Sequence, residues 1–118
     1  MKTFVLSIFL LYTSTISDTR LKGSWSKGIA VVQYNAEFNR SNSVPNLSRV
    51  SDARIFNAWI DQKPELKELG RIKSVPTLVL YKDGVEVRRW EAGISMKLDI
   101  SYREVQQYVD ELTGANKF

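Results

Sequence analysis

The run from Val75 to Trp90, "VPTLVLYKDGVEVRRW", most strongly constrains the fold of this chain. The β-branched, aromatic and leucine residues before the turn favour a strand from Val75 to Tyr81. Lys82-Asp83-Gly84 is a hairpin turn signal, because an Asp-Gly pair readily adopts the positive φ angles of a tight turn. Alternation over Val85 to Trp90 puts odd-numbered residues on one face and even-numbered residues on the other. The run therefore predicts an antiparallel β-hairpin.

Two more strands are predicted upstream of the hairpin. Ile29 to Tyr34, "IAVVQY", is an almost continuous apolar run, which suits a central strand covered on both faces. Ala53 to Ile60, "ARIFNAWI", follows as a second strand. Between them, apolar residues recur every third position from Val44 to Val50, and Asn42 or Ser43 could cap a brief helix there.

Two helices complete the pattern. Pro64 suits the first helical position and Gly70 the position just past a helix end, which predicts a short helix between them. Ser101 to Leu112 is amphipathic and opens with a Ser101/Glu104 capping box. Strands that alternate with helices and end in a hairpin predict an α/β fold, with a mixed central sheet and helices on both faces.

The first 28 residues permit two interpretations. "MKTFVLSIFLLYTSTIS" has one basic residue, an apolar segment and small residues before Asp18, as in a secretory signal peptide cleaved after Ser17. The same segment also suits a buried strand followed by a short helix. Residues 1–28 are then the N-terminal strand and helix of the fold, and residues 29–118 are its core. We prefer the strand interpretation, and with it a location inside the cell or a larger particle rather than export.

Composition excludes several kinds of chemistry. The 118 residues contain no cysteine and no histidine. A thiolate nucleophile, a disulfide and a zinc–thiolate site are therefore excluded, and so is the commonest general base near neutral pH. We expect no metal site and no cofactor. The formal charge of +4 comes without a dense run of basic residues, so direct nucleic-acid binding is not expected. Stable membrane insertion is not expected either, because the apolar N-terminal segment is short and interrupted.

The arrangement of several motifs resembles that of thioredoxins. "VVQYNAEF" resembles the central strand that leads to the thioredoxin active site, and "NRSN" stands where that family has Cys-Gly-Pro-Cys. "IDQKPELKELGRIKSVPTLVLYKDG" resembles the second half of the fold, including the loop that holds a cis-proline, here Pro76. The resemblance covers roughly residues 29–112 and implies a thioredoxin-like fold.

The residues at the resembling site depart from the family. Asn39 and Asn42 stand at the two cysteine positions, with Arg40 and Ser41 between them. The buried proton-relaying Asp of the family is matched by Gln33, and the Lys that pairs with it by Asn57. A carboxamide is neither nucleophilic nor redox-active, whereas disulfide exchange requires a thiolate. The resemblance therefore implies a redox-inactive protein and not an enzyme.

The segment from Asn39 to Asn42 permits two other functional interpretations, an anion site and a serine nucleophile. Arg40 and the free N–H groups of a helix that starts here could hold an anion. The simpler interpretation is that Ser and Asn side chains cap the helix and that Arg40 is solvated. Ser41 has no histidine or identifiable lysine to activate it as a nucleophile. The glycosylation motifs at Asn39 and Asn46 matter only in a glycosylating compartment.

The resemblance implies a surface that contacts partner proteins. In the family, the cis-proline loop pairs with an extended partner segment, which is a form of strand addition. The residues that match this surface are Phe38, Asn39, Val75, Pro76, Thr77 and Gly93. We therefore expect a binding or structural subunit of a larger assembly, such as a viral particle. The alternatives are a non-catalytic accessory subunit of an enzyme such as a polymerase, and an exported thioredoxin-like chaperone.

Overall fold

The computed structural model describes residues 23–114. Both interpretations of residues 1–17 lie outside this range. The strands are β1 (Ile29–Asn35), β2 (Arg54–Trp59), β3 (Thr77–Lys82) and β4 (Val85–Glu91). The helices are α1 (Glu65–Gly70) and α2 (Tyr102–Thr113), and 3₁₀ segments cover Gly23–Ser26, Glu37–Asn42 and Leu47–Arg49. Among residues 23–114, the helices are too short or too polar to cross a bilayer.

The described strands form one mixed sheet in the order β2-β1-β3-β4. Strands β1 and β2 are parallel, whereas β1 with β3 and β3 with β4 are antiparallel. The predicted mixed sheet with a C-terminal hairpin is confirmed. Strand β1 lies inside the sheet, which accounts for its almost continuous apolar sequence.

Each face of the sheet carries its own apolar core, because successive strand residues point to opposite faces. The α1 side gathers Ala30, Val32, Tyr34, Leu69, Ile72, Val79 and Tyr81. The α2 side gathers Val31, Leu78, Leu80, Trp90, Val105 and Val109, with Val44, Leu47 and Val50 from the segment between β1 and β2. Helices therefore cover both faces, as predicted.

Strand β4 contains a β-bulge at Val87, where the pairing with β3 shifts by one residue. A bulge reverses the facing of the residues on one side of it relative to the other. Glu86 therefore shares a face with Arg89, whose Nε donates a 2.9 Å hydrogen bond to Glu86 Oε2. The strict alternation expected over Val85 to Trp90 was wrong for this reason.

Gly70 is the last residue of α1 and not the residue beyond it. Arg71 takes the left-handed conformation there instead, with φ of 53°. A Cβ atom at Gly70 would lie 2.6 Å from Cζ of Tyr34, so this glycine allows the helix to approach the buried tyrosine ring.

Ser101 is the residue before α2, but its side chain makes no capping hydrogen bond. Its backbone oxygen accepts a 3.1 Å hydrogen bond from the N–H of Glu104. The expected capping box was wrong, although the predicted start of the helix was right.

Candidate functional site

The segment that follows β1 is a 3₁₀ turn rather than the start of an α-helix. Glu37–Asn42 is a 3₁₀ segment with non-helical angles at Asn39, and Ser43 is extended. The residue before a proline is disfavoured in the α conformation, so Val44 before Pro45 prevents a helix from continuing. The expected helix capped by Asn42 or Ser43 was therefore wrong. Only Leu47–Arg49 forms a further short 3₁₀ turn before β2.

The two asparagines of this turn are hydrogen-bonded to each other. Nδ2 of Asn42 donates to Oδ1 of Asn39 at 2.8 Å. Asn39 is only 5% exposed, and its own Nδ2 donates to Asn35 Oδ1 at 3.1 Å and to the backbone oxygen of Met96 at 3.0 Å. The side chain of Asn39 is thus buried and fully engaged.

Asn35 holds the turn to the end of β1. This residue was not among the predicted site residues. Its Nδ2 donates to the backbone oxygen of Asn39 and to Ser43 Oγ, each at 3.1 Å. Its Oδ1 accepts the N–H of Ala36 at 2.9 Å. An asparagine at the end of a buried apolar strand was the signal that could have identified it, because a buried amide needs partners.

Gln33 and Asn57 also form a pair, as their matched positions suggested. Nε2 of Gln33 donates to Asn57 Oδ1 at 3.1 Å, across the parallel β1–β2 register. Oε1 of Gln33 accepts the N–H of Val44 at 2.8 Å. Gln33 is buried, whereas Asn57 is exposed on β2. The pair joins β1, β2 and the chain after the 3₁₀ turn without any charge.

This amide cluster has no acid–base or nucleophilic chemistry. Asn35, Asn39, Asn42, Gln33 and Asn57 all carry carboxamides, which do not titrate near neutral pH. In the described part of the chain, no three carboxylates come together in a way that would hold a metal ion. The arrangement is compatible with redox inactivity, and its chemical role is to fix the turn.

Arg40 contacts Glu37 within the turn and Trp59 on β2. Its Nη2 lies 2.7 Å from Glu37 Oε1, and its guanidinium carbon lies 4.3 Å from the centre of the Trp59 ring. Both contacts engage the guanidinium, and Glu37 would compete with an incoming anion for it. Ser41 is exposed beside it.

A groove lies next to the turn. It has a volume of about 360 Å³, and its apolar lining includes Ile60, Ile72, Val75 and Met96. Phe38 and Ile94 line it as well, and Phe38 is 75% exposed while Ile94 is fully exposed. Phe38, Val75 and Gly93 were predicted to belong to a partner-contacting surface, whereas Ile94 was not. Its signal was an isolated apolar residue between Gly93 and Ser95.

The loop before β3 forms part of the groove. The Val75–Pro76 peptide bond is cis, as the resemblance implies. Pro76 and Thr77 are buried, and Thr77 Oγ1 donates to the backbone oxygen of Ser74 at 2.8 Å. These two side chains therefore shape the loop, and its groove-lining residues include Lys73, Ser74 and Val75.

Val75 lines the groove and is 7% exposed. The Pro76 oxygen accepts the N–H of Ala92, and the Gly93 oxygen accepts that of Met96. Among residues 23–114, the N–H and C=O of Val75 itself take part in no hydrogen bond. A backbone donor and acceptor at the edge of a groove can pair with an extended chain.

Comparison with known proteins identifies the fold. No protein-family model and no curated protein matches the sequence. Solved structures do match: a variant of a thioredoxin from Halobacterium salinarum NRC-1 shares 19% identity at a TM-score of 0.63, with 80% of this chain and 83% of that chain covered. Thioredoxin-2, a component of malaria parasite protein secretion machinery, shares 14% identity at a TM-score of 0.56, with 71% and 82% covered.

A thioredoxin from Schistosoma mansoni is similar to the same degree. It shares 18% identity at a TM-score of 0.56, and the match covers 73% of this chain and 78% of that chain. The structural similarity establishes the architecture. At identities this low it does not establish the activity, which has to be argued from the site. The chain has a thioredoxin-like fold in which the site is built from amides and contains no cysteine.

Proposed function

We propose that this chain is a redox-inactive thioredoxin-like protein that binds an extended segment of another protein in the groove beside Val75. The observation that carries the proposal is the pair of exposed apolar side chains, Phe38 and Ile94, on the lining of one apolar groove. The binding needs no thiol, so it is consistent with the amides at Asn39 and Asn42.

The exposure of Phe38 and Ile94 is informative because they come from separate segments. Isolated exposed apolar residues are ordinary on protein surfaces, whereas clustered ones mark interaction sites. Val85 and Val87, the other exposed large apolar residues in the described range, lie on β4 and do not line the groove. A partner that covers Phe38 and Ile94 would remove apolar surface from water, which contributes favourable free energy to binding.

The amide cluster supports the same surface. Asn39 Nδ2 donates to the backbone oxygen of Met96, which ties the turn that carries Phe38 to the loop that carries Ile94. A preorganised surface loses less conformational entropy on binding. We infer that Asn39 positions the two apolar residues relative to each other.

A partner segment would gain affinity from its backbone and specificity from its side chains. The N–H and C=O of Val75, which have no partner among residues 23–114, suit two hydrogen bonds to an extended chain, and the groove accommodates one or two apolar side chains. A micromolar dissociation constant for such a segment would correspond to about −8 kcal/mol. Such a surface fits a subunit that gains further contacts within a larger assembly.

Selection from a random octapeptide library displayed on phage tests the proposal, with the full chain as bait. We expect clones that bind the natural chain and the Val87→Asp variant but not the Ile94→Asp variant. Val87 is the matched control, because it is an exposed apolar residue outside the groove. If no clone is enriched, or if enriched clones bind Ile94→Asp as well, the groove is not the binding site and the proposal fails.

A further inference from the structure

We infer that the segment bound in the groove is acidic as well as apolar. This inference rests on the proposed function and adds the charge of the partner. Its basis is the charge of the groove lining, which includes Lys67 from α1 and Lys73 from the loop before β3 and includes no aspartate or glutamate.

The two lysines are available to a partner. Lys67 and Lys73 are both exposed. The ion pairs of the described residues involve arginines only, so neither ammonium group is neutralised by a carboxylate of residues 23–114. Two unneutralised ammonium groups beside an apolar groove produce a positive potential there, which favours negatively charged ligands.

The carboxylates nearest in sequence are engaged elsewhere or lie outside the lining. Glu37 accepts hydrogen bonds from Arg40 and from Nε2 of Gln62. Asp61 Oδ2 accepts the N–H of Glu37 at 2.9 Å. Glu65 and Glu68 of α1 are exposed but do not line the groove. The positive charge of Lys67 and Lys73 is therefore not balanced within the groove.

Lys73 and the unpaired backbone groups of Val75 lie close together along the chain. Lys73 is two residues before Val75, whose N–H and C=O make no hydrogen bond within residues 23–114. A segment that pairs with Val75 and inserts an apolar side chain would therefore carry its neighbouring residues past Lys73. We propose that Asp or Glu occupies one or both positions beside that apolar residue.

The test uses the peptides selected on the natural chain as probes. We expect Asp and Glu to be enriched beside the apolar residue of clones that require Ile94. A second selection on the Lys67→Glu/Lys73→Glu variant should enrich Lys and Arg instead. The control is Lys27→Glu/Lys82→Glu, which changes two exposed lysines outside the groove by the same total charge.

Fluorescence anisotropy with a labelled acidic clone quantifies the effect. The groove variant should weaken binding roughly tenfold, and the control less than about twofold, because exposed charge pairs act over short distances in salt. Raising NaCl from about 0.05 M to about 0.3 M should weaken binding to the natural chain but not to the groove variant.

The outcomes separate the two proposals. Clones that require Ile94 but show no acidic enrichment, or that bind the groove variant as tightly as the control, overturn the acidic partner and leave groove binding intact. The absence of any clone that requires Ile94 overturns groove binding and the acidic partner with it.

Discussion

Nδ2 of Asn42 donates a 2.8 Å hydrogen bond to Oδ1 of Asn39, so an amide pair joins the two positions that resemble the cysteines of thioredoxins. The pair belongs to a cluster that also includes Asn35, and Asn39 ties this cluster to the backbone of Met96. The arrangement is uncharged and buried at its centre. It stabilises the turn, and we propose that it positions the groove.

The cluster should tolerate no charge at position 39. In Asn39→Asp, the carboxylate would face Asn35 Oδ1 and the Met96 oxygen, which now accept hydrogen bonds from Nδ2. We expect a loss of about 3 kcal/mol in the free energy of unfolding at neutral pH, because a charge is buried and two acceptors each lose the Nδ2 donor. Urea denaturation measures the loss, with the exposed Asn46→Asp as control.

The same variant should show a specific pH dependence. Burial raises the pKa of the introduced carboxyl above its value in the unfolded chain. The folded state then binds more protons, so the penalty relative to the natural chain should shrink as the pH falls towards the raised pKa. A penalty that stays constant from neutral to acidic pH would show that position 39 is not buried as described.

Gly70 should resist substitution more strongly than its helix position suggests. A Cβ atom there would lie 2.6 Å from Cζ of Tyr34, whereas a Cβ atom at Gly93 would meet nothing within 4 Å. We expect Gly70→Ala to lower the free energy of unfolding by about 1–3 kcal/mol through overpacking. Gly93→Ala should change it by less than about 0.5 kcal/mol. Thermal unfolding of the two variants in parallel measures the difference, and equal effects would contradict the contact with Tyr34.

The buried tyrosine pair predicts loss of stability in alkali. The hydroxyl groups of Tyr34 and Tyr81 lie 2.7 Å apart, and burial raises the pKa of both tyrosines above 10.0. The stability that the neutral pair contributes is fully present below the unfolded pKa of about 10 and is lost as the pH rises above it. Tyr34→Phe/Tyr81→Phe removes both groups, so its unfolding free energy should fall less steeply above pH about 10. Parallel slopes for the two proteins would contradict this prediction.

Restoring the two cysteines should not restore efficient disulfide reduction. A thiol at position 39 would be buried, which raises its pKa and lowers the thiolate fraction. Gln33 and Asn57 would still provide no proton relay at the matched positions. We expect Asn39→Cys/Asn42→Cys to reduce a disulfide substrate slowly, and the further changes Gln33→Asp and Asn57→Lys to raise the rate. A double variant as fast as an active thioredoxin would show that the matched relay positions matter little.

The parts of the fold with strong local signals were predictable from the sequence. The continuous apolar run of β1, the Asp83-Gly84 turn and the stripe of α2 each specify an element by pattern alone. The bulge at Val87 was not predictable, because it depends on how β4 pairs with β3 and not on any Gly or Pro in the strand. Gly70 was assigned to a helix end by its residue type, whereas its reason is the ring of Tyr34, which is distant in sequence.

The candidate site was predictable in part. Resemblance located Phe38, Asn39 and Val75, since they flank recognisable motifs. The missing helix after Asn42 could have been anticipated from Val44-Pro45, because a residue before proline avoids the α conformation. Ile94 had only a weak signal, an isolated apolar residue between Gly93 and Ser95, and Lys67 had none. The placement of both beside one groove depends on tertiary packing between the loop after β4 and α1.

Amide chemical-shift mapping tests most directly whether the groove beside Val75 binds an extended protein segment. The ¹⁵N-labelled full chain would be titrated with a peptide selected on it. Groove binding predicts the largest shifts at Phe38, Val75, Gly93 and Ile94, and small shifts at Val85 and Val87 on β4. Shifts that are largest on β4, or that show no preference for the groove, would contradict it.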